Sequence, residues 1–336
     1  MLGRLAGFMK NRPPWLIRAW IVIGLAGLLG WALRNAPLHD IWATIQKLQP
    51  WQLLVLGLVN GLIYILVSLR WWLIVWAEAR QVPFWPLLLV RVSVFGVSYF
   101  TLGPQVGGEP LQVLALQRRY GLSFSRATAS VLMDKLLEFL VNFLLLAFGL
   151  TAILQTGLRV EGGYSLGLVL GLLVCLVAWP PIHIILMVKK IYPLSALLHR
   201  LPFVRLKSRP VRFLRASERL AAGFCQRHPY ALVGSLLVSL LAGIGMLLDY
   251  ALMLSFLGIN LPFWKIVAGW TAGWLSFLVP LPGGLGVLEA SQVFALAAFG
   301  IPAAIAISLT LLMRARDLII GGLGLLLAGN GFSKVK

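Results

Sequence analysis

The chain is poor in acid, histidine and cysteine. Its 336 residues hold ten Asp and Glu against 29 Lys and Arg, with four His and two Cys. Cys175 falls in an apolar run and Cys225 in a basic segment. The two thiols therefore belong at different depths, and no disulfide framework is expected. No His, Cys, Asp or Glu grouping has metal-ligand spacing, and no nucleotide-binding motif is present, so no cofactor is expected. His39, His183, His199 and His228 are scattered, three of them in loops or near the ends of apolar runs. That distribution argues against a catalytic centre, and the chain is not expected to be an enzyme.

Charge is scarce altogether. Charged residues make up 12% of the chain, against about 25% in soluble domains. Hydrophobic residues make up 60%, with a mean hydropathy of +0.91. Several apolar runs reach the roughly 20 residues needed to cross a bilayer. The fold class is therefore an all-α integral membrane protein, a multi-span helical bundle. The 34 Gly and 18 Pro suit membrane helices, and the 13 Trp suit aromatic belts at the interfaces.

The formal net charge is +19. The basic residues sit between the apolar runs, most densely at 189–227, where Glu218 is the one acid. Positive-inside retention accounts for this pattern and places the N-terminus, the 189–228 loop and the tail in the cytoplasm of a cell-membrane protein. Nucleic acid is not an expected partner; membrane lipids are, and the loop could touch anionic headgroups.

The chain also contains an internal duplication. Pro83-Phe84-Trp85 recurs as Pro262-Phe263-Trp264, an offset of 179 (262 − 83), and Pro50-Trp51 recurs as Pro229-Tyr230. Gly121 pairs with Gly300, Lys135 with Arg314 and Glu138 with Asp317 at the same offset. Residues 50–85 match 229–264 at 11 of 36 positions, mostly through aliphatic residues. Each copy holds a Gly/Pro-rich break before a glutamate: Gly107-Gly108-Glu109-Pro110, and Gly283-Gly284 followed by Gly286 and Glu289. The resulting plan is one membrane domain, 1–336, with a first span at 16–33, repeat 1 at 50–154, a connecting span at 164–188, the basic loop at 189–228 and repeat 2 at 229–329. Counting crossings against the charge pattern makes the repeats inverted and the two broken helix pairs re-entrant. The short helices after the breaks, near 110–120 and 286–299, would aim unpaired N–H groups at an anion. Alternatively, Glu109 and Glu289 simply cap them.

Ionisable residues inside apolar segments are functional candidates by default. Asp134, Lys135 and Glu138 share a helical face, and Arg314 and Asp317 repeat the basic-then-acidic pair. Recurrence suggests that the two pairs face each other across a pseudo-two-fold axis. Arg70 and Asp249 occupy equivalent positions (249 − 70 = 179) with opposite charge. Either they pair, or Arg70 snorkels to an interface.

Four segments carry a family resemblance: GPQVGGEP at 103–110, VLMDKLLE at 131–138, PLPGGLGVLEA at 280–290 and GIPAAIAISLTLLMRARD at 300–317. Together they resemble the flippase-like family typified by the transmembrane region of lysylphosphatidylglycerol synthases, over about 50–329. That family usually has Glu-Arg where this chain has Asp134-Lys135, and Lys cannot reproduce a bidentate grip on phosphate. The resemblance implies a protein that moves an anionic or aminoacylated lipid, or a lipid-linked group, between leaflets. The synthases continue into an aminoacyltransferase region; here the sequence ends at Lys336, so synthase activity is not expected. On this reading Gly107, Gly108, Glu109, Lys135, Gly283, Gly284, Glu289 and Arg314 bind substrate. Asp134, Glu138 and Asp317 balance charge or couple a proton. Two alternatives stay open: a non-transporting partner of a lipid-synthesising enzyme, and a membrane enzyme acting on lipid headgroups.

Overall fold

The computed structural model describes residues 46, 48–100, 108–155, 166–200, 209–279 and 281–332. The expected first span at 16–33 and Gly107 lie outside the described residues. Eleven α-helices occupy the described chain: α1 Pro50–Glu78, α2 Phe84–Tyr99, α3 Glu109–Tyr120, α4 Phe124–Gln155, α5 Leu166–Val188, α6 Pro193–Arg200, α7 Arg209–Arg227, α8 Pro229–Phe256, α9 Phe263–Ser276, α10 Val287–Ala297 and α11 Ala303–Phe332. A single 3-10 turn, Pro282–Gly284, precedes α10.

The sequence landmarks set the helix ends. Pro50 and Pro229 open α1 and α8 at the first turn, where a missing N–H costs nothing. Gln49 and Gln52 cap α1 reciprocally, and the Gln49 N–H donates to Gln52 Oε1 at 2.9 Å. The recurring Pro-Phe-Trp triplets do the same work in both halves: Pro83 and Pro262 are extended, and α2 and α9 begin at the next residue. Gly121 and Gly300 stop α3 and α10 in the left-handed conformation, at φ 67° and 78°.

Helix order recurs with the sequence. The run α1–α4 has lengths 29, 16, 12 and 32 residues, and α8–α11 has 28, 14, 11 and 30. The halves are interleaved: α1 packs along α8, α2 along α11, and α9 along α4. The α1–α8 pair runs antiparallel, since Asn60 meets Asp249 near one end and Arg70 meets Ser239 near the other. Small residues let α2 and α11 approach closely. A Cβ on Gly324 would lie 2.2 Å from the Val92 carbonyl oxygen, and one on Gly96 2.5 Å from that of Gly321. Backbone-to-backbone packing through glycine is a common way for membrane helices to associate.

Three apolar clusters fill the bundle. The largest joins α4, α8, α9, α10 and α11 around Phe143, Tyr250, Trp270 and Leu309. A second joins α1–α4 around Trp71, Leu87 and Leu116. The third seats α7 against α4 and α5 through Met133, Leu137, Met187 and Phe224. The outer faces are apolar too, with Leu54, Leu58 and Leu62 on α1 and Leu237, Leu241 and Ile244 on α8 all exposed. Such surface suits lipid rather than water. The helices α1 and α8, with mean hydropathy 2.1 and 2.3, are long enough to cross a bilayer.

The 189–228 segment, expected as a loop, contains the two helices α6 and α7. Its charge pattern hid an amphipathic stripe: Ser217, Ala221, Ala222 and Phe224 are buried while Arg212, Arg215 and Arg219 are exposed. Glu218 is fully buried and accepts the Leu194 and Ser195 N–H groups at 2.8 and 2.9 Å. It thereby caps α6 from α7.

The α2–α11 contact yields a stability prediction. Gly324→Val should force the helices apart and cost about 1–3 kcal/mol or more, lowering the melting temperature in detergent by several degrees. Gly57→Val, at an exposed site with open space around it, should change it little. Equal melting temperatures would show that the two helices are not in backbone contact.

Candidate functional site

A cavity of about 210 Å³ lies between the two repeats. Repeat 1 supplies most of its charged lining, with Arg70, Arg91, Glu109, Lys135 and Glu138. Repeat 2 supplies much of the aromatic lining, with Tyr250, Trp270, Trp274 and Phe277, together with Asp249, Arg316 and Asp317.

The repeat 1 charges form one network. Asp134 on α4 is wholly buried and accepts from Arg70 Nε of α1 at 2.6 Å and from Arg91 Nη1 of α2 at 2.7 Å. Glu138, one turn further on, accepts from Arg70 Nη2 at 2.8 Å and from Arg91 Nη2 at 3.4 Å. Lys135 lies 3.3 Å from Glu138 and 3.5 Å from Glu109 of α3. Three cations thus face three carboxylates. Helical spacing explains the grouping, because positions 134, 135 and 138 bring three charges to one face of α4.

Repeat 2 holds its charges in two parts. Arg314 grips Glu289 bidentately, with Nη2 at 2.8 Å from Oε2, and Nη1 donates to the Gly283 carbonyl at 3.0 Å. Gly283 and Gly284 have φ of 57° and 62°, a conformation that turns the break onto that guanidinium. Arg316 forms the second part, with Nη1 at 2.5 Å from Asp249 and Nε at 2.8 Å from Asp317. Asn60 of α1 donates to the other Asp249 oxygen at 2.7 Å.

The 179-residue offset organises these contacts. Arg70–Ser239 and Asn60–Asp249 are the same contact in the two halves, since 60 + 179 = 239 and 70 + 179 = 249. The break glutamate pairs with the α4 or α11 cation in both, as Glu109–Lys135 and Glu289–Arg314. The charge of the central residue is reversed: α1 presents Arg70 to two acids, whereas α8 presents Asp249 to Arg316.

Several expectations change accordingly. Arg70 and Asp249 do not pair; each is held by its own repeat's α4 or α11. Arg70 is 3% exposed, so it is an interior charge and does not snorkel. The Lys135–Glu138 and Arg314–Asp317 pairs do not face each other as closed units. Lys135 and Glu138 bond within repeat 1, while Asp317 bonds Arg316 rather than Arg314. Of the residues expected to bind substrate, Gly108, Glu109 and Lys135 line the cavity. Gly283, Gly284, Glu289 and Arg314 lie at the second break, outside the lining. Glu289 caps α10 by accepting the Gly286 N–H at 2.9 Å, as the capping alternative requires. Asp134 lies behind the lining, and Glu138 and Asp317 lie on it.

Arg91 and Gln112 escaped the sequence reading. Arg91 is a lone cation in an apolar helix, at a position where repeat 2 has Trp270 (91 + 179), so the duplication concealed it. Gln112 had a signal: Glu109-x-x-Gln112 recurs as Glu289-x-x-Gln292. Among the described residues, no cluster of three or more His, Cys, Asp or Glu is placed to hold a metal ion.

A helical bundle with apolar outer faces, duplicated helix order and an ion-paired central cavity defines a polytopic membrane protein built around an interior site. The sequence profile of the family described as the lysylphosphatidylglycerol synthase TM region matches residues 15–324, and the chain belongs to that family. The family ties it to lipid modification or translocation. No curated protein and no solved structure matches the chain significantly.

The network predicts unequal costs. Asp134→Ala leaves two buried guanidinium groups short of a partner and should cost about 3–5 kcal/mol. Lys135→Ala removes a longer-range, more exposed pair and should cost far less. Thermal unfolding of both variants in detergent checks this; a Lys135→Ala loss as large as that of Asp134→Ala contradicts the pairing.

Proposed function

We propose that this protein carries a lipid or lipid-linked molecule between the two leaflets of the cell membrane, its headgroup passing through the central cavity. The carrying observation is the cavity's amphiphilic lining: ion-paired charge largely from repeat 1, aromatic surface largely from repeat 2. Such a lining suits a molecule that is polar at one end and apolar at the other. Because the charges are already paired, an anionic or aminoacylated headgroup enters by partner exchange. Its phosphate takes Lys135 and Arg91; any amine takes Glu109. The Lys135–Glu109 contact, at 3.5 Å, is the longest ion pair in the network and the first to exchange. In this reading the chain is a carrier and not an enzyme.

The antiparallel α1–α8 pair and the exchanged α2–α11 and α4–α9 packing support an inverted repeat, which alternately opens a midplane site to each side. The helices α3 and α10, at 12 and 11 residues, extend about 16–18 Å. That is short of the roughly 30 Å hydrocarbon core, which supports re-entrant pairs. Both termini and α7 then face the cytoplasm. Asp134 and Glu138 balance Arg70, Arg91 and Lys135, and Asp317 balances Arg316 together with Asp249.

Headgroup-resolved translocation in proteoliposomes tests the reading. Wild type should move one class among anionic phospholipids, aminoacylated lipids and polyprenyl phosphates, and Glu109→Gln and Lys135→Ala should each slow it about tenfold or more. No movement above empty liposomes, with folded protein confirmed, rejects the carrier and favours the partner-subunit reading.

Topology is tested separately. Arg118→Cys and Ser123→Cys should both label with a membrane-impermeant maleimide from the cytoplasmic face alone. Native Cys225 gives little background, because burial pushes its thiol up to about 11, leaving almost no thiolate at neutral pH. Labelling from the outer face would make α3 a crossing helix.

A further inference from the structure

Gln112 stands one turn along α3 from Glu109, is 2% exposed, and lines the cavity. Its Oε1 is buried without a hydrogen-bond partner. Its repeat 2 equivalent behaves differently. Gln292 accepts from the Tyr250 hydroxyl at 2.6 Å and donates through Nε2 to the Gly269 carbonyl at 2.9 Å. The position equivalent to Tyr250 is Trp71 (250 − 179), whose indole N–H is also buried and unpartnered. Repeat 2 therefore commits its glutamine to internal structure, whereas repeat 1 places its glutamine in the cavity wall with the amide oxygen desolvated and unpaired, so that a turn of the amide brings it to a ligand. A buried polar atom left unpaired is costly and rare in native proteins, and it marks a place where a partner is due.

We propose that Gln112 is a specificity-determining residue whose amide oxygen accepts a hydrogen bond from a donor on the lipid headgroup, an N–H or an O–H. The site then selects headgroups that carry a free amine or hydroxyl over otherwise matched headgroups that carry none. Its neighbours fit that role. Glu109 on the same face of α3 takes cationic donors, and Lys135 opposite takes the phosphate that such a headgroup carries beside its donor. A donorless headgroup would bury the same oxygen against methyl groups and leave it unpaired, the arrangement that gives polar sites their strongest discrimination.

The biological meaning of this proposal rests on the carrier reading, but its test measures binding and needs no transport. Purified protein in detergent is titrated with short-chain phospholipids in two matched pairs, and affinity is read from the rise in melting temperature. One pair is N,N-dimethyl- against N,N,N-trimethyl-phosphatidylethanolamine, which differ by the last N–H. The other is phosphatidylglycerol against its bis-O-methyl ether, which differ by two O–H groups. In at least one pair the donor-bearing member should bind wild type about tenfold or more tightly. Gln112→Leu should bring that ratio to within about twofold by weakening the donor-bearing member, and Gln112→Glu, which keeps an acceptor, should retain a preference. Trp71→Phe should leave the ratio unchanged. Equal binding within both pairs, including no binding, overturns the proposal, as does a preference that survives Gln112→Leu. Loss of the preference in Trp71→Phe also overturns it, because the oxygen would then serve the indole. Selective binding without lipid movement in proteoliposomes would leave this site standing and reject the carrier.

Discussion

Charge inside a membrane must be paired, and the interior of this protein is arranged around that constraint. Arg70 is the key member. From α1 it reaches Asp134 and Glu138 on α4 and Ser239 on α8, fixing three helices from two repeats with one guanidinium. Arg91 closes the same carboxylates from α2. A planar, always-charged fork can serve two carboxylates at once in a way that lysine cannot. The apolar clusters could form with many helix arrangements; this ionic fit is satisfied by few. Whether such a network adds net stability over an apolar core is a separate matter, since desolvation offsets much of the attraction. Its clear consequence is a defined geometry around a polar cavity.

The two repeats meet that constraint with opposite signs. Repeat 1 centres a cation among acids; repeat 2 centres Asp249 on Arg316. A strictly symmetric duplication would place like charges at 70 and 249, close to the shared α1–α8 seam. Ser239 and Asn60 serve those two positions as neutral partners across the seam, whichever charge stands there. A separate difference between the repeats gives the cavity its polarity, with Arg91 on one wall and Trp270 at the matching place on the other.

Much of this was legible in the residues. The Pro-Phe-Trp triplets, the paired prolines and the glycines at 121 and 300 set helix boundaries in both halves, because each acts locally through backbone conformation. Lys135 and Glu138 shared a face for the same local reason. The long-range matches were less legible. Nothing within α2 says that Gly96 will meet Gly324, or that Arg91 will share acids with Arg70, since those contacts depend on how the repeats interleave. The amphipathic helix α7 is obscured by its arginines, which satisfy the positive-inside pattern and mask its apolar stripe. The recurring Glu-x-x-Gln is visible in the residues, but its meaning lies in one glutamine being satisfied and the other not.

The central claim is that a lipid headgroup occupies the cavity between the repeats. The most direct measurement is photo-crosslinking in nanodiscs with a lipid whose headgroup carries the reactive group, the adducts being mapped by peptide mass spectrometry. The account predicts adducts in the cavity-lining stretches of Phe84–Tyr99 and Phe263–Ser276, suppressed by excess unlabelled lipid. Adducts confined to the outer faces of Pro50–Glu78 and Pro229–Phe256, insensitive to competitor, would mean that lipid only surrounds the bundle, and would contradict it.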